Sequence, residues 1–199
     1  MSTEEIRSET HRVPRLAEQS LTYMKELGDM WCASPLKLLG QLCMAQGDLM
    51  VARTLLEESL AITKATGLKG GEAVEPRISL AYLSALQGNL AAARRLYQES
   101  LALLSSAFSK EFIAASLEGL GAVEVGQGEP LKAARLWGTA EALRESIGAP
   151  LYPVYRADYN KAVATARAEL SDEAFAMAWS EGRTTPLEQV IDDVLRTVD

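Results

Sequence analysis

At 199 residues the chain is long enough for one compact domain, or for about four to five helix pairs of a repeat array. With 48 % hydrophobic and 24 % charged residues its balance is globular, and no apolar run approaches the ~20 residues needed to cross a bilayer. The net charge of −7 argues against a surface that grips nucleic-acid phosphates, and the polar, acidic start MSTEEIRSETHRV is unlike a signal peptide, which makes the cytoplasm the expected location.

Residues 1–12 show little periodicity, hold the single histidine, His11, and are expected to form a flexible lead-in. The pattern turns helical over 13–28, where LAEQSLTYMKELG (Leu16–Gly28) aligns without gaps on LLEESLAITKATG (Leu55–Gly67). That segment reads as the second helix of a repeat whose first helix is missing, so the chain is expected to be either a piece of a longer protein or a domain whose leading helix is a cap. The stretch LGQLCMAQGDLMVARTLLEESL (Leu39–Leu60) then recurs as LAYLSALQGNLAAARRLYQESL (Leu80–Leu101) and, more loosely, as LGAVEVGQGEPLKAARLWGTAE (Leu120–Glu141). The central glycines Gly47, Gly88 and Gly128 are spaced by 41 and 40 residues, and a fixed period of this size marks a solenoid.

Each unit reads as two helices joined by a turn. Gly47-Asp48, Gly88-Asn89 and Gly128-Glu129-Pro130 combine a left-handed helix stop with a start signal, Asp48 and Asn89 as caps and Pro130 in the first helical turn. Connections this short make the two helices antiparallel neighbours. Gly40/Ala52, Ala81/Ala93 and Gly121/Ala133 are small-residue pairs placed to let the two backbones approach. Leu36, Leu39, Leu55, Leu56 and Leu60 form the stripe to be buried, with Leu96, Tyr97, Leu101, Leu136 and Trp137 at the matching places later. Three further helices are expected: one over about Val154–Leu170, one capped by Ser171 and ending at Gly182, and one from Thr185-Pro186-Leu187-Glu188 to about Arg196. Phe175 and Trp179 share a face of the second of these and are expected to cover the open edge of the last repeat.

Leu39-Gly40, Gly47-Asp48, Ala52 and Leu56 stand where the tetratricopeptide repeat puts its leucine–glycine, turn, alanine and large apolar residue, and the chain resembles that family. It departs in length, with 40–41 residues per unit against about 34, the surplus falling after Ser59 and Ser100, which lengthens the second helix or widens the loop between repeats. The resemblance implies an all-α, right-handed α-α superhelix: a partial repeat at 13–28, repeats at about 30–68, 70–108 and 110–148, and a capping segment at 152–198, as one domain over 13–199. A closing block made of Trp137-Gly138, Ala140-Glu141-Ala142-Leu143-Arg144, Gly148, Ala174-Phe175, Ala178-Trp179, Glu181-Gly182-Arg183 and Leu187-Glu188 resembles the end of the C-terminal arm of large STAND-type ATPase regulators, the LuxR-type ones included. The sequence contains neither the Gly-rich phosphate loop nor the helix-turn-helix of the LuxR-type members.

No GxxxxGK[ST], GxGxxG, HExxH, CxxC or GxSxG pattern is present, so neither catalytic residues nor a metal or cofactor site is expected. Cys32 and Cys43 are expected to be reduced and packed. Glu57-Glu58, Glu72/Glu75 and Asp192-Asp193 are expected on solvated faces, and Tyr152, Tyr155 and Tyr159 packed on the last repeat, with a pocket there as the alternative. By analogy with tetratricopeptide repeats, the inner wall takes Lys37, Gln41 and Met44, then Ile78, Tyr82 and Ala85, then Glu118, Ala122 and Val125. This wall carries no multi-cation clamp. A groove for a helix or extended peptide and a wall with no dedicated ligand stay equally open. The expected role is a protein-interaction or scaffold module, the arm of a STAND-type regulator contacting a protein, a peptide or its own ATPase core, without binding nucleic acid or membrane. A free-standing adaptor and a small-molecule sensor are the alternatives.

Overall fold

The structure is a computed structural model that describes residues 29–104 and 110–196, together with the isolated positions Gln19 and Thr22. The lead-in with His11, the residues of the partial repeat from Val13 to Gly28 other than Gln19 and Thr22, and the last three residues lie outside the described residues. Every element among the described residues is helical. A 3-10 turn, Asp29–Cys32, is followed by α1 (Ala33–Gln46), α2 (Leu49–Thr66), α3 (Gly71–Leu86), α4 (Leu90–Leu103), α5 (Lys110–Gly126), α6 (Pro130–Ile147), α7 (Pro153–Glu169), α8 (Asp172–Thr184) and α9 (Leu187–Arg196). The expected all-α solenoid class of helix pairs is the observed one. The chain divides inside α3 into two compact units, Met1–Leu80 and Ala81–Asp199.

The three repeat turns are the same device built three times. Gly47, Gly88 and Gly128 take φ of 87°, 77° and 80°, a left-handed conformation that costs glycine little. Each closes with paired backbone bonds: Gly47 N–H to Met44 O (3.0 Å) with Asp48 N–H to Cys43 O (2.9 Å), then the same pattern at Gly88-Asn89 and Gly128-Glu129. These bonds satisfy carbonyls that a helix end would otherwise orphan. The caps differ from expectation in one place. Asn89 accepts from Ala92 N–H at 3.1 Å, whereas Asp48 makes no such side-chain bond.

In the first unit α1 and α2 pack through the Gly40/Ala52 contact. A Cβ on Gly40 would lie 2.7 Å from Leu56 Cγ and 3.3 Å from Ala52 O, so nothing larger than glycine fits without moving Leu56. Leu36, Leu39, Leu56 and Leu60 are buried around it, and Ser59 Oγ donates to Ala33 O at 2.7 Å. The surplus repeat length lengthens α2 to Thr66, while in the next unit α4 already stops at Leu103. Cys32 is buried, Cys43 is half-buried, and neither forms a disulfide.

In the second unit Gly121 admits Trp137. A Cβ there would sit 2.2 Å from the indole Nε1, which donates instead to the backbone O of Glu118 at 3.0 Å. Trp137, Phe175, Ala133, Ala134, Ala166 and Ala178 form one buried cluster, with Trp179 packed against it. The two aromatics thus cover the apolar flank of α6, the job expected of them. Ser171 caps α8 by accepting from Ala174 N–H at 3.1 Å, but α8 runs to Thr184, two residues beyond Gly182. Thr185 ends α8 rather than capping α9: its N–H and its hydroxyl both donate to Glu181 O, at 3.0 and 2.8 Å, so Pro186 supplies the first carbonyl of α9.

Candidate functional site

The sequence-predicted wall positions fall in both units, and each unit is described separately. In the first, Lys37 on α1 meets Glu75 on α3 at 2.7 Å, and Gln41 Nε2 donates to Ser79 Oγ at 3.0 Å. Lys37 and Gln41 are one helical turn apart on α1, and their partners Glu75 and Ser79 are one turn apart on α3. Lys37 and Gln41 stay half-buried, while Met44 and Ile78 are buried and belong to the core. A partly exposed pair such as Lys37–Glu75 contributes about 1 kcal/mol or less, so its residues are held without being committed to the fold.

In the second unit the wall is already occupied by the chain itself. Tyr82, half-buried on α3, donates its hydroxyl to Asp158 on α7 and meets the Tyr155 ring edge-on at 4.6 Å between centroids. Tyr155 in turn contacts Tyr152 at 6.2 Å, and Tyr159 stands edge-on to Trp137 at 5.7 Å. The expected packing of this tyrosine group on the last repeat is what forms, and α7 is the element that brings it there.

Glu118 does not face a groove. It is 9 % exposed, and both its carboxylate oxygens accept from Arg144 on α6, from Nε at 3.0 Å and Nη2 at 2.9 Å. Burial pushes the Glu118 carboxyl above its ordinary value, against the pull of the two Arg144 hydrogen bonds. The Arg144 guanidinium also lies 5.3 Å from the centre of the Tyr152 ring, whose hydroxyl donates to Glu111 at 2.6 Å. The chain Glu118–Arg144–Tyr152–Glu111 therefore ties α5, α6 and the start of α7 together.

A second buried pair, Arg94–Glu124 at 3.0 Å, links α4 to α5, with Gln127 also accepting from Arg94. Sequence reasoning passed over both pairs. The signal for Glu124 is a charge standing where the earlier repeats have Ser84 and Cys43; Arg94, by contrast, repeats Arg53 and carries no such signal.

Burial holds the hydroxyls of Tyr82, Tyr97 and Tyr159 well above the ordinary tyrosine range, and at Tyr82 the hydrogen bond to Asp158 adds to it. Because the folded-state values are raised, the stability these groups give is fully present below the unfolded value of about 10 and is lost as the pH climbs through the window above it. Ionisation of these three tyrosines, followed by ultraviolet absorbance, is expected to coincide with loss of helix in circular dichroism. Ionisation of more than three of the six tyrosines at about pH 10 with the helix intact contradicts this burial.

Among the described residues no group of three or more His, Cys, Asp or Glu side chains could hold a metal ion, and no helix is long and apolar enough to cross a membrane. Of the carboxylates flagged in the sequence, Glu57, Glu58, Glu72, Asp192 and Asp193 are exposed and Glu75 is half-buried; Glu57 pairs with Arg53 at 3.4 Å, and Asp192 and Asp193 with Arg196 at 3.4 and 3.5 Å.

No curated protein and no solved structure matches the chain. The tetratricopeptide repeat family model matches residues 31–106. That span runs from the 3-10 turn through α4 and contains the first two Gly-centred turns. Repeats of this family generally mediate protein–protein interaction. Over residues 31–106 the chain is therefore similar to the tetratricopeptide repeat family, and its helix pairs with their recurring Gly-centred turn agree with that match.

Proposed function

We propose that this protein is a non-catalytic interaction module of the cytoplasm that binds a protein or peptide partner through the wall of its first unit, with Lys37 and Gln41 as the polar contacts. The observation that carries this reading is the difference between the two units. In the second, Glu118 is buried beneath Arg144 and the half-buried Tyr82 is bonded to α7; in the first, Lys37 and Gln41 bond to α3 and both remain half-buried. The first unit also leaves Trp31, Leu38, Met50 and Val51 exposed, Trp31 at 55 %. Tryptophan is among the side chains that most often anchor a protein interface.

The test is affinity enrichment from an extract of the source cells, using wild type and a Lys37→Glu/Gln41→Ala variant. A partner held by wild type and lost from a variant of unchanged helical signal is expected; the variant costs about 1 kcal/mol of stability, since the groups it alters are part-exposed. Identical partner sets from both proteins remove the wall from the account.

The finer reading, an arm of a STAND-type regulator, is supported by the closing block. Several of its residues converge on one crossing of α6 and α8. A Cβ on Gly138 would lie 2.1 Å from Trp179 O, and one on Gly182 would lie 1.9 Å from Arg135 O. Trp179 Nε1 donates to Glu141 at 2.7 Å, and Arg183 bridges Glu141 and Glu145, the latter at 2.6 Å. Arg183's hydrogen bond holds the Glu145 carboxyl below its ordinary value. A block in which Gly138, Glu141, Trp179, Gly182 and Arg183 serve one helix crossing suits the closure of a helical array. The gene sequence upstream of Met1 tests this version: an in-frame nucleotide-binding ATPase is expected, and a frame that starts at Met1 removes the arm while leaving the interaction module.

A further inference from the structure

The last helix is the least committed element of the second unit. Its apolar residues Leu187, Val190, Ile191 and Val194 recur at helical spacing on one face, yet all four are only half-buried and α9 has no buried residue. It lies on α4, where Gln98 Nε2 donates to Val194 O at 2.8 Å. Beside it opens a pocket of about 390 Å³ whose lining includes Leu120 and Leu136 from α5 and α6 and Val190 and Val194 from α9. With this open pocket at its edge and all four stripe residues only half-buried, α9 packs on the unit less closely than the other helices do.

We propose that the groove between α4, α5 and α6 is an acceptor for an amphipathic helix supplied by a partner, and that α9 is the built-in competitor that occupies it in the meantime. The occupant is defined by what α9 lacks and by what it has. It carries larger apolar side chains where α9 has Val190 and Val194, so that they reach Leu120 and Leu136. It is acidic on its flank, as α9 is with Glu188, Asp192 and Asp193. Asp193 shares the cavity lining with Lys132 and Arg135, both about half exposed. Their present partners, Glu129 at 3.5 Å and Glu181 at 2.7 Å, are solvent-exposed pairs that exchange at little cost. The two-residue connection Thr185-Pro186 lets α9 leave without disturbing α8, whose last turn is closed by its own Thr185 bonds.

This groove is separate from the Lys37/Gln41 wall, so either can fail without the other. Hydrogen exchange on the wild-type chain comes first: α9 amides are expected to exchange on the order of 100-fold faster than those of α6, by local opening. Protection equal to that of α6 overturns the proposal. The second measurement uses full-length wild type and a full-length Val190→Asp/Val194→Asp variant, which releases α9 and, because α9 has no buried residue, leaves the core intact. The probe is a fluorescent peptide of residues 185–196 carrying Val190→Leu and Val194→Phe. It is expected to bind the released variant roughly tenfold tighter than wild type, since wild type offers the groove only in the fraction with α9 displaced. It is also expected to slow exchange in α4 and α6. No binding to the released variant, or equal binding to both proteins, overturns the competitor role.

Discussion

Replacing Gly182 by alanine lowers the stability of the second unit by about 3 kcal/mol, at the upper end of the usual range for overpacked sites. The added Cβ meets Arg135 O at 1.9 Å and Arg135 C at 2.7 Å, and both are backbone atoms on a helix that cannot rotate aside. Relief requires α6 and α8 to separate. That movement also breaks the bond from Thr139 Oγ1 to Gly182 O (2.8 Å) and strains the Arg183–Glu145 contact. Gly126→Ala is the matched control: its Cβ meets only the tip of the Leu90 side chain at 2.8 Å, a flexible group, so the change is expected to stay within about 0.5 kcal/mol of wild type. Denaturant unfolding of the two variants, with hydrogen exchange to locate the loss, checks this. Equal stability of Gly182→Ala and wild type contradicts the close crossing.

Arg144→Met is the second large effect, about 3–5 kcal/mol, because it leaves the Glu118 carboxylate buried with neither of its two hydrogen bonds. The double variant Glu118→Leu/Arg144→Met is expected to recover most of that loss, since apolar residues of similar volume replace a buried pair at little net cost and sometimes with a gain. Both residues are more than 90 % buried, so screening by solvent does little to soften the single change. A double-mutant cycle in denaturant reads the coupling directly, and a value of roughly 2 kcal/mol or more is expected. Additive losses mean the pair is not the device that ties α5 to α6.

The repeats were legible in the sequence because each rests on a local rule: glycine at a left-handed turn, small residues at a crossing, leucines at helical spacing. Gly47, Gly40/Ala52 and Leu56 all sit where those rules place them. The wall was legible only in part, for a physical reason. Inward positions were assigned by analogy with a repeat whose groove is open, and the sequence carries no signal that α7 returns to lie against Tyr82. Glu118 illustrates the same point. On helical spacing alone it falls on the wall, and its burial is decided by Arg144, 26 residues later in the chain. The Thr185 misassignment was a competition between two valid cap rules, won by the C-terminus of α8 because its hydroxyl reaches Glu181 O.

The most direct test of the central claim, that the first unit's wall is the partner-binding surface, is a hydrogen-exchange footprint of the chain with the partner recovered by wild-type enrichment. The account predicts slowed exchange across α1 around Lys37 and Gln41 and in the first turns of α3, lost in Lys37→Glu/Gln41→Ala. A footprint that spares α1 altogether contradicts it.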